Sequence, residues 1–434
     1  MPNENNEKHL DVYENRYELH QDDRMTVYYQ GFQNEATQQR YALINRKFEE
    51  GFLTKEIASI PNKDFSNLTE ENQMLLKNMV NGITSEVGRA LVGLVCLQLA
   101  IKSITPEQSI RLHKGSTTRG KFSWTDGISM RSLDRNFNTP FLRQHGLLNV
   151  NRDGVFMTRS LAENYPYSVL YKAEMRGPFN QWIAIVDAIE NKTMPPELGL
   201  CFLLSLLQNR SDQFKEHAEE ACNLTNIYHD RSFEDIKELI VKFFNKTDYS
   251  ARAFEVAIHG FYQALNEMHL LGDVDVVPMS QMRSANKKHG NVGDIELKEN
   301  RMIVESWDAK YGKPYLRDEL EELRDKLLTH PDVRIAGFIC NEKVDMRQDI
   351  SNRKNELELE TGTKIYLFSF DEWIDFQLRR LPLAQKNKLG YKWLVAIVES
   401  FSQKRLNIAP IDEPCDAWIN DLISIMNEFH IVKT

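Results

Sequence analysis

Apolar positions follow more than one period along this chain, and the period separates its regions. From Thr69 onward the stretch MLLKNMVNGITSEVGRALVGLVCLQLAIKSI places apolar residues at helical spacing, behind a start in which Thr69 precedes Glu70 and Glu71. Residues 1–110 are therefore expected to form a mainly helical scaffold. Helical stretches return at IAIVDAIE, ELGLCFLLSLLQNR and DQFKEHAEEACNL, which make 186–235 a helical connector. Two more, FEDIKELIVKFFNK and ARAFEVAIHGFYQALNEMHLL, open a third region, 236–385, and YKWLVAIVESFSQKR and DAWINDLISIMNEF predict C-terminal helices over 386–434. The runs Ala90–Ile101 and Glu197–Leu207 are shorter than the roughly 20 residues of a bilayer-spanning helix, so they read as buried core helices.

A shorter period appears within 236–385. Gly293-Asp294-Ile-Glu-Leu predicts a short strand, Lys298-Glu-Asn300 a polar turn, and Arg301-MIVESWDAK a longer strand ending at Lys310. Further strands are expected at VRIAGFIC and KIYLFSF, with helices between them. The fold class is thus mixed α/β (α+β): a mixed-sheet core flanked by helices behind a mainly helical N-terminal part.

Residues 111–185 have a different texture, rich in Gly, Ser, Thr, Arg and Asn. Thr139-Pro140 predicts a helix start, with Thr139 as the cap and Gly146 as the stop. LLNVNRDGVFMT then reads as two short strands around the turn Asn151-Arg152-Asp153-Gly154, and Ser160 caps a further helix. Helix, small hairpin and helix in this order resemble a winged helix, a module that sets a helix in the DNA major groove. Charge adds to this picture. The chain has a formal net charge of −9, yet Arg111 to Arg176 carries eleven basic residues against five acidic ones. Such asymmetry suits one phosphate-facing surface on an acidic body, and Arg119, Arg131, Arg135, Arg143 and Arg152 are the candidate DNA contacts there. Lys287 and Lys288, before the first strand of the third region, are further phosphate candidates, as is Lys313.

The five cysteines are scattered and form no Cys-x-x-Cys pair, which argues against a disulfide framework or a zinc-thiolate site and suits a reducing compartment. The polar, acidic N-terminus lacks the features of a secretory signal, so a cytoplasmic protein without membrane attachment is expected. Neither a His-Glu-x-x-His motif nor a Gly-rich phosphate loop with Lys-Ser/Thr is present, so no nucleotide cofactor is expected.

The candidate chemistry lies around Asp294, Asp308 and Lys310. Side chains alternate along a strand, so Asp308 and Lys310 share a face and Glu305 falls on the other. A hairpin brings Asp294 near Asp308 although 14 positions separate them. Two adjacent carboxylates repel unless a cation lies between them, and Mg2+, a hard ion, prefers such oxygen ligands. Lys310 then orients the attacking water or offsets charge in the transition state. Glu296 shares a face with Asp294 and is a potential helper, whereas Glu255 lies one helical turn after Arg252 and either joins the site or pairs with that arginine.

These residues resemble the PD-(D/E)XK nucleases, and among them the type II restriction endonucleases: an acid at the start of one strand, Asp294, then an acid-x-lysine triplet, Asp308-Ala309-Lys310, on the next. Over about 130 residues, the resemblance implies an αβ nuclease core that uses Mg2+ held by Asp294 and Asp308, with Lys310 catalytic. It also implies a glutamate from the preceding helix, which maps onto Glu255. The sequence has Gly293 where the family name has proline, and aspartate rather than the commoner glutamate at 308. The expected activity is site-specific cleavage of double-stranded DNA by a homodimer. The alternatives are a non-catalytic winged-helix regulator and a repair nuclease of the same fold without sequence specificity.

Overall fold

The computed structural model describes residues 8–21, 24–83, 86–114, 122–148, 150, 164–172, 175, 177–279, 291–379, 381–402 and 415–433. The chain divides into two compact units, Met1–Gln213 and Phe214–Thr434.

The first unit does not begin as a helical scaffold. Strands β1 (His9–Val12), β2 (Arg16–Gln21) and β3 (Arg24–Tyr29) pair in order as an antiparallel sheet. Polar composition hides a period-two pattern here: Tyr17, Leu19 and Tyr28 point inward onto Leu112 and Trp124, and the intervening polar residues point out. The helical reading holds after that point. Helices α1 (Glu35–Glu49), α2 (Phe52–Ser59), α3 (Glu70–Asn81) and α4 (Glu86–Ile104) follow, and Thr69 caps α3 by accepting from Asn72 N at 3.2 Å. Within α4, Val87–Ile104 has the length and composition of a membrane span, yet 83% of it is buried inside the protein. It is the central helix of the first unit's hydrophobic core.

Helices α5 (Met130–Leu133) and α6 (Thr139–Gln144) are joined by a π turn over Asp134–Asn138. This corrects the role expected of Thr139. The backbone is already helical at Asn138, and the Thr139 hydroxyl donates to buried Asp134 Oδ1 at 3.0 Å instead of capping α6. Gly146 does end the helical segment, in a left-handed conformation with φ +64°. The hairpin expected around Asn151–Gly154 and the helix expected from Ser160 lie outside the described residues.

After α7 (Phe179–Glu190), the stretches ELGLCFLLSLLQNR and DQFKEHAEEACNL form one helix, α8 (Pro196–Thr225), because neither glycine nor proline interrupts the sequence between them.

The second unit is mixed α/β. Helices α9 (Phe233–Lys246) and α10 (Ser250–Glu267) precede a five-stranded sheet: β4 (Asp275–Val276), β5 (Ile295–Glu299), β6 (Met302–Lys310), β7 (Ile335–Cys340) and β8 (Lys364–Ser369), in that spatial order. Strands β4, β5 and β6 pair antiparallel, and β6, β7 and β8 pair parallel. The parallel crossovers carry α11 (Arg317–Leu327) and α12 (Gln348–Thr361), and α13 (Phe370–Leu378), α14 (Leu383–Phe401) and α15 (Cys415–Lys433) complete the unit.

Helices cover both faces of the sheet, so β7 reads IAGFIC with no polar position. Its residues alternate between two cores. Ile339 joins Trp307, α10 and α14 on one side, and Ala336, Phe338 and Cys340 join α11 and α12 on the other. Gly337 is opposite Trp307 in the register, where a Cβ would come within 2.1 Å of Tyr366 O and 3.0 Å of the Trp307 ring. A Gly337→Val substitution is therefore expected to destabilise the protein by about 1–3 kcal/mol, the usual range for overpacking, as read by urea unfolding. An unchanged midpoint would show that the strands do not approach this closely.

Candidate functional site

The site is built on the β5–β6 hairpin. Asn300 and Arg301, both at positive φ (50° and 72°), make the turn, and a register shift at Leu297/Lys298 absorbs the odd residue. Beyond that shift Ile295 is opposite Trp307, so Asp294, just ahead of β5, falls beside Asp308. Gly293 permits this approach, since a Cβ there would be 2.5 Å from Ser306 Oγ and 2.8 Å from Trp307 O. A side chain at 293 would push the first carboxylate away from the second.

Two reciprocal bonds fix the carboxylates. Asp294 N donates to Asp308 Oδ1 at 3.1 Å, and Ala309 N donates to Asp294 Oδ2 at 3.1 Å. One oxygen of each acid is thus spent on the partner strand's backbone. The second oxygen of Asp308 faces cations, Lys310 Nζ at 3.5 Å and Lys326 Nζ at 3.8 Å. The second oxygen of Asp294 has no hydrogen bond among the described residues. Asp308 is 6% exposed, whereas Asp294 still reaches solvent in part.

Burial, and then the charges of Asp308 and Glu255, hold the Asp294 carboxyl well above its ordinary proton affinity, against the Ala309 amide and Lys310. Lys310 behaves oppositely. Burial alone would release its proton, but Asp308, Glu319 and Asp294 outweigh burial and raise its pKa. Lys310 is consequently a fixed cation, suited to balancing negative charge and unsuited to accepting a proton near neutral pH.

Glu255 comes from α10 with a largely buried side chain and is bonded to Arg252. Burial raises its proton affinity, Arg252 opposes this, and Asp308 is close enough to add repulsion. Glu255 therefore pairs with Arg252, the second of the readings weighed for it, and the charge of Asp308 reaches it as well. The three carboxylates nevertheless do not gather their oxygens within 4.8 Å as a set.

The other acids near the triad separate by face. Glu305 points to the α10 side, where Oε1 accepts from Trp307 Nε1 at 2.6 Å and Tyr262 OH at 2.7 Å, so it is closed to the triad. Glu296 lies opposite Ser306, on the face of Asp308, but Oε1 accepts from Val292 N at 2.6 Å, and its role is to hold the strand entry.

Sequence reasoning missed Glu319. It projects from α11, 2.5 Å from Lys310 Nζ and 3.3 Å from Lys313 Nζ, and the two lysines hold its carboxyl below the ordinary range despite partial burial. Lys313, weighed as a phosphate contact, is thus engaged with Glu319. Lys326, on the same helix, was missed as well. A faint signal existed: RDELEELRDKL follows the triplet directly, and a parallel crossover must return over the same face.

The donor set is of the kind a divalent ion of the Mg2+ class takes: Asp294 offers, at a partly open position, a carboxylate oxygen without a hydrogen bond among the described residues, and Asp308 stands beside it.

Of the candidate DNA contacts, Arg131, Arg135 and Arg143 are exposed on the helical segment from α5 to α6 of the first unit. Arg119, Arg152, Lys287 and Lys288 lie outside the described residues.

The pKa of Asp294 has a consequence for stability. The folded protein holds this proton more tightly than the unfolded chain, which releases it near 3.8, so rising pH above that value costs folding free energy. In a chelator, Asp294→Asn is expected to raise the urea midpoint at pH 8, with the gain vanishing toward pH 4. A midpoint that falls, or a gain independent of pH, would mean that the carboxylate is already satisfied by its neighbours.

No family model matches the chain and no curated protein sequence matches it, so what this centre does rests on its own geometry.

Proposed function

We propose that this protein is a Mg2+-dependent endonuclease of the PD-(D/E)XK, type II restriction class, cutting double-stranded DNA at a fixed sequence. The observation that carries this reading is the convergence of Asp294 with Asp308 and Lys310 at one end of a mixed sheet, two carboxylates locked together by backbone bonds beside a partly buried cation. Helix α10 before the sheet, an antiparallel hairpin, then parallel strands with crossover helices also suit the core of that family.

Asp294 and Asp308 would hold the ion. When bound, it supplies Lewis-acid assistance to water attack on phosphorus. The chain's own groups do the rest. Lys310, kept charged by Glu319 and Asp308, is placed to bind a non-bridging phosphate oxygen and to offset the charge that grows there. Glu319 anchors the lysine from below, and the Asp294–Ala309 and Asp308–Asp294 backbone bonds stop either carboxylate from rotating away. Glu255, held by Arg252, contributes negative field that favours cation entry. Recognition is assigned to residues 111–185, read as a winged-helix-like region with Arg131, Arg135 and Arg143 among its contacts, and a homodimer would present two cutting centres to a palindromic site.

Unmethylated phage DNA incubated with the protein and Mg2+ is expected to give discrete bands, absent with a chelator and with Asp308→Ala. A smear would favour a repair nuclease of this fold. Intact DNA that is still shifted by binding, in every metal tested, would overturn catalysis and leave a DNA-binding regulator.

Lys310→Gln separates the roles. Cleavage should fall by roughly 10²–10³-fold, the scale for losing one transition-state charge partner. The stabilisation of the protein by Mg2+ should remain, because Lys310 is not a ligand. Loss of that stabilisation along with cleavage would make Lys310 a support of the metal site only.

A further inference from the structure

We propose that the outer face of the β1–β2 pair is a second metal site, of the zinc class, with His9, Asp11 and His20 as its protein ligands. It is independent of the nuclease reading and lies in the other unit of the chain.

The pleat places the ligands. His9 is directly opposite His20 and Asp11 opposite Glu18, so His9, Asp11, Glu18 and His20 all point outward while Tyr17 and Leu19 point into the core. Among the described residues, His9, Asp11 and His20 are the one group of three or more His, Cys, Asp or Glu whose ligand atoms all lie within 4.8 Å. The two imidazoles stack at 4.2 Å with 8° between their planes, and both bring Nε2 toward the same oxygen, Asp11 Oδ2, at 3.6 and 3.5 Å.

Those gaps are too long for good hydrogen bonds, and among the described residues Nε2 of His20 is shielded from solvent without one. The two His–Asp spacings match ligand spacing instead, and because parallel rings aim their lone pairs side by side, one imidazole must rotate out of the stack to share an ion with the other. Two donors each about 2.1 Å from a zinc ion lie about 3.4 Å apart at the tetrahedral angle, close to the observed 3.5 and 3.6 Å. Two imidazoles and one carboxylate suit Zn2+, Ni2+ or Cu2+ far better than Mg2+, and they leave a fourth position for water. Glu18, the other acid on this face, is engaged by Arg16 at 2.6 Å and is not needed as a ligand.

The location suggests what the ion does. Among the described residues, strand β1 is an edge of its sheet, pairs only with β2 and has no buried residue. An ion bridging His9 and Asp11 to His20 clips that edge strand to its neighbour, a role for which side-chain packing supplies little.

Calorimetric titration of the full chain with Zn2+ tests the assignment. The wild type should take up one ion at this site, and His20→Gln and Asp11→Asn should each weaken it by roughly tenfold or more, as loss of a ligand does. Asp294→Asn should leave it unchanged, and Mg2+ should not compete. Co2+ in place of Zn2+ should give a visible absorption band that disappears in the same two variants. Asp11 and His20 lie on the outer face, so neither substitution opens the core. Zinc uptake unaffected by both substitutions, abolished by Asp294→Asn, or absent from the wild type would overturn the proposal.

Discussion

Two aspartates that would repel each other in isolation are pinned together here by main-chain hydrogen bonds, and much of the second unit is arranged around that constraint. Asp294 N reaches Asp308, and Ala309 N reaches back to Asp294. Each carboxylate thereby gains a donor for one oxygen, and the other oxygen of Asp308 faces Lys310 and Lys326. Desolvation and mutual repulsion oppose the arrangement, and the rise in the proton affinity of Asp294 records their net effect. Rigidity on the opposite face of β6 resists the strain. Trp307 stacks there toward Tyr366 and Phe368, and the Glu305 carboxylate receives both the Trp307 indole and the Tyr262 hydroxyl.

Positive charge on the Asp308 face is set by the crossover helix. Helix α11 delivers Lys326 to Asp308 and Glu319 to Lys310, so its position governs how the triad is balanced. Arg353 of α12 ties the two crossover helices together, reaching Glu321 at 2.7 Å, with Glu360 bridging Arg353 and Arg324. Exposed pairs of this kind each contribute little, but a connected network centred on one partly buried arginine limits sliding of the helices. Leu320, Leu323 and Leu327 supply the larger adhesion beneath it.

Part of this architecture is legible in the amino-acid order. Apolar spacing marks α3, α9, α10 and the C-terminal helices, and the alternation along Arg301–Lys310 is enough to put Glu305 and Asp308 on opposite faces. The N-terminal sheet was missed because its strands are short and polar, and their inward residues, Tyr17, Leu19 and Tyr28, complete a core only with Trp124 and Leu112, about a hundred positions away. The expected cap at Thr139 failed for a related reason. A buried Asp134 five residues earlier competes for the hydroxyl, and helix continuity through the π turn removes the need for a cap.

The residue types and their spacing established locally that Asp308 and Lys310 share a face and that Asp294 stands one hairpin away, because strand alternation and turn geometry are short-range properties. Everything that sets the electrostatic state of those groups came from contacts distant in the chain: Glu319 and Lys326 from the crossover helix, Glu255 with Arg252 from α10, and the reciprocal amide bonds that depend on one particular register. A sequence pattern cannot weigh burial against charge, since both are sums over neighbours that only packing brings together. The same holds for His9, Asp11 and His20, three unremarkable polar residues until the pairing of β1 with β2 sets them side by side.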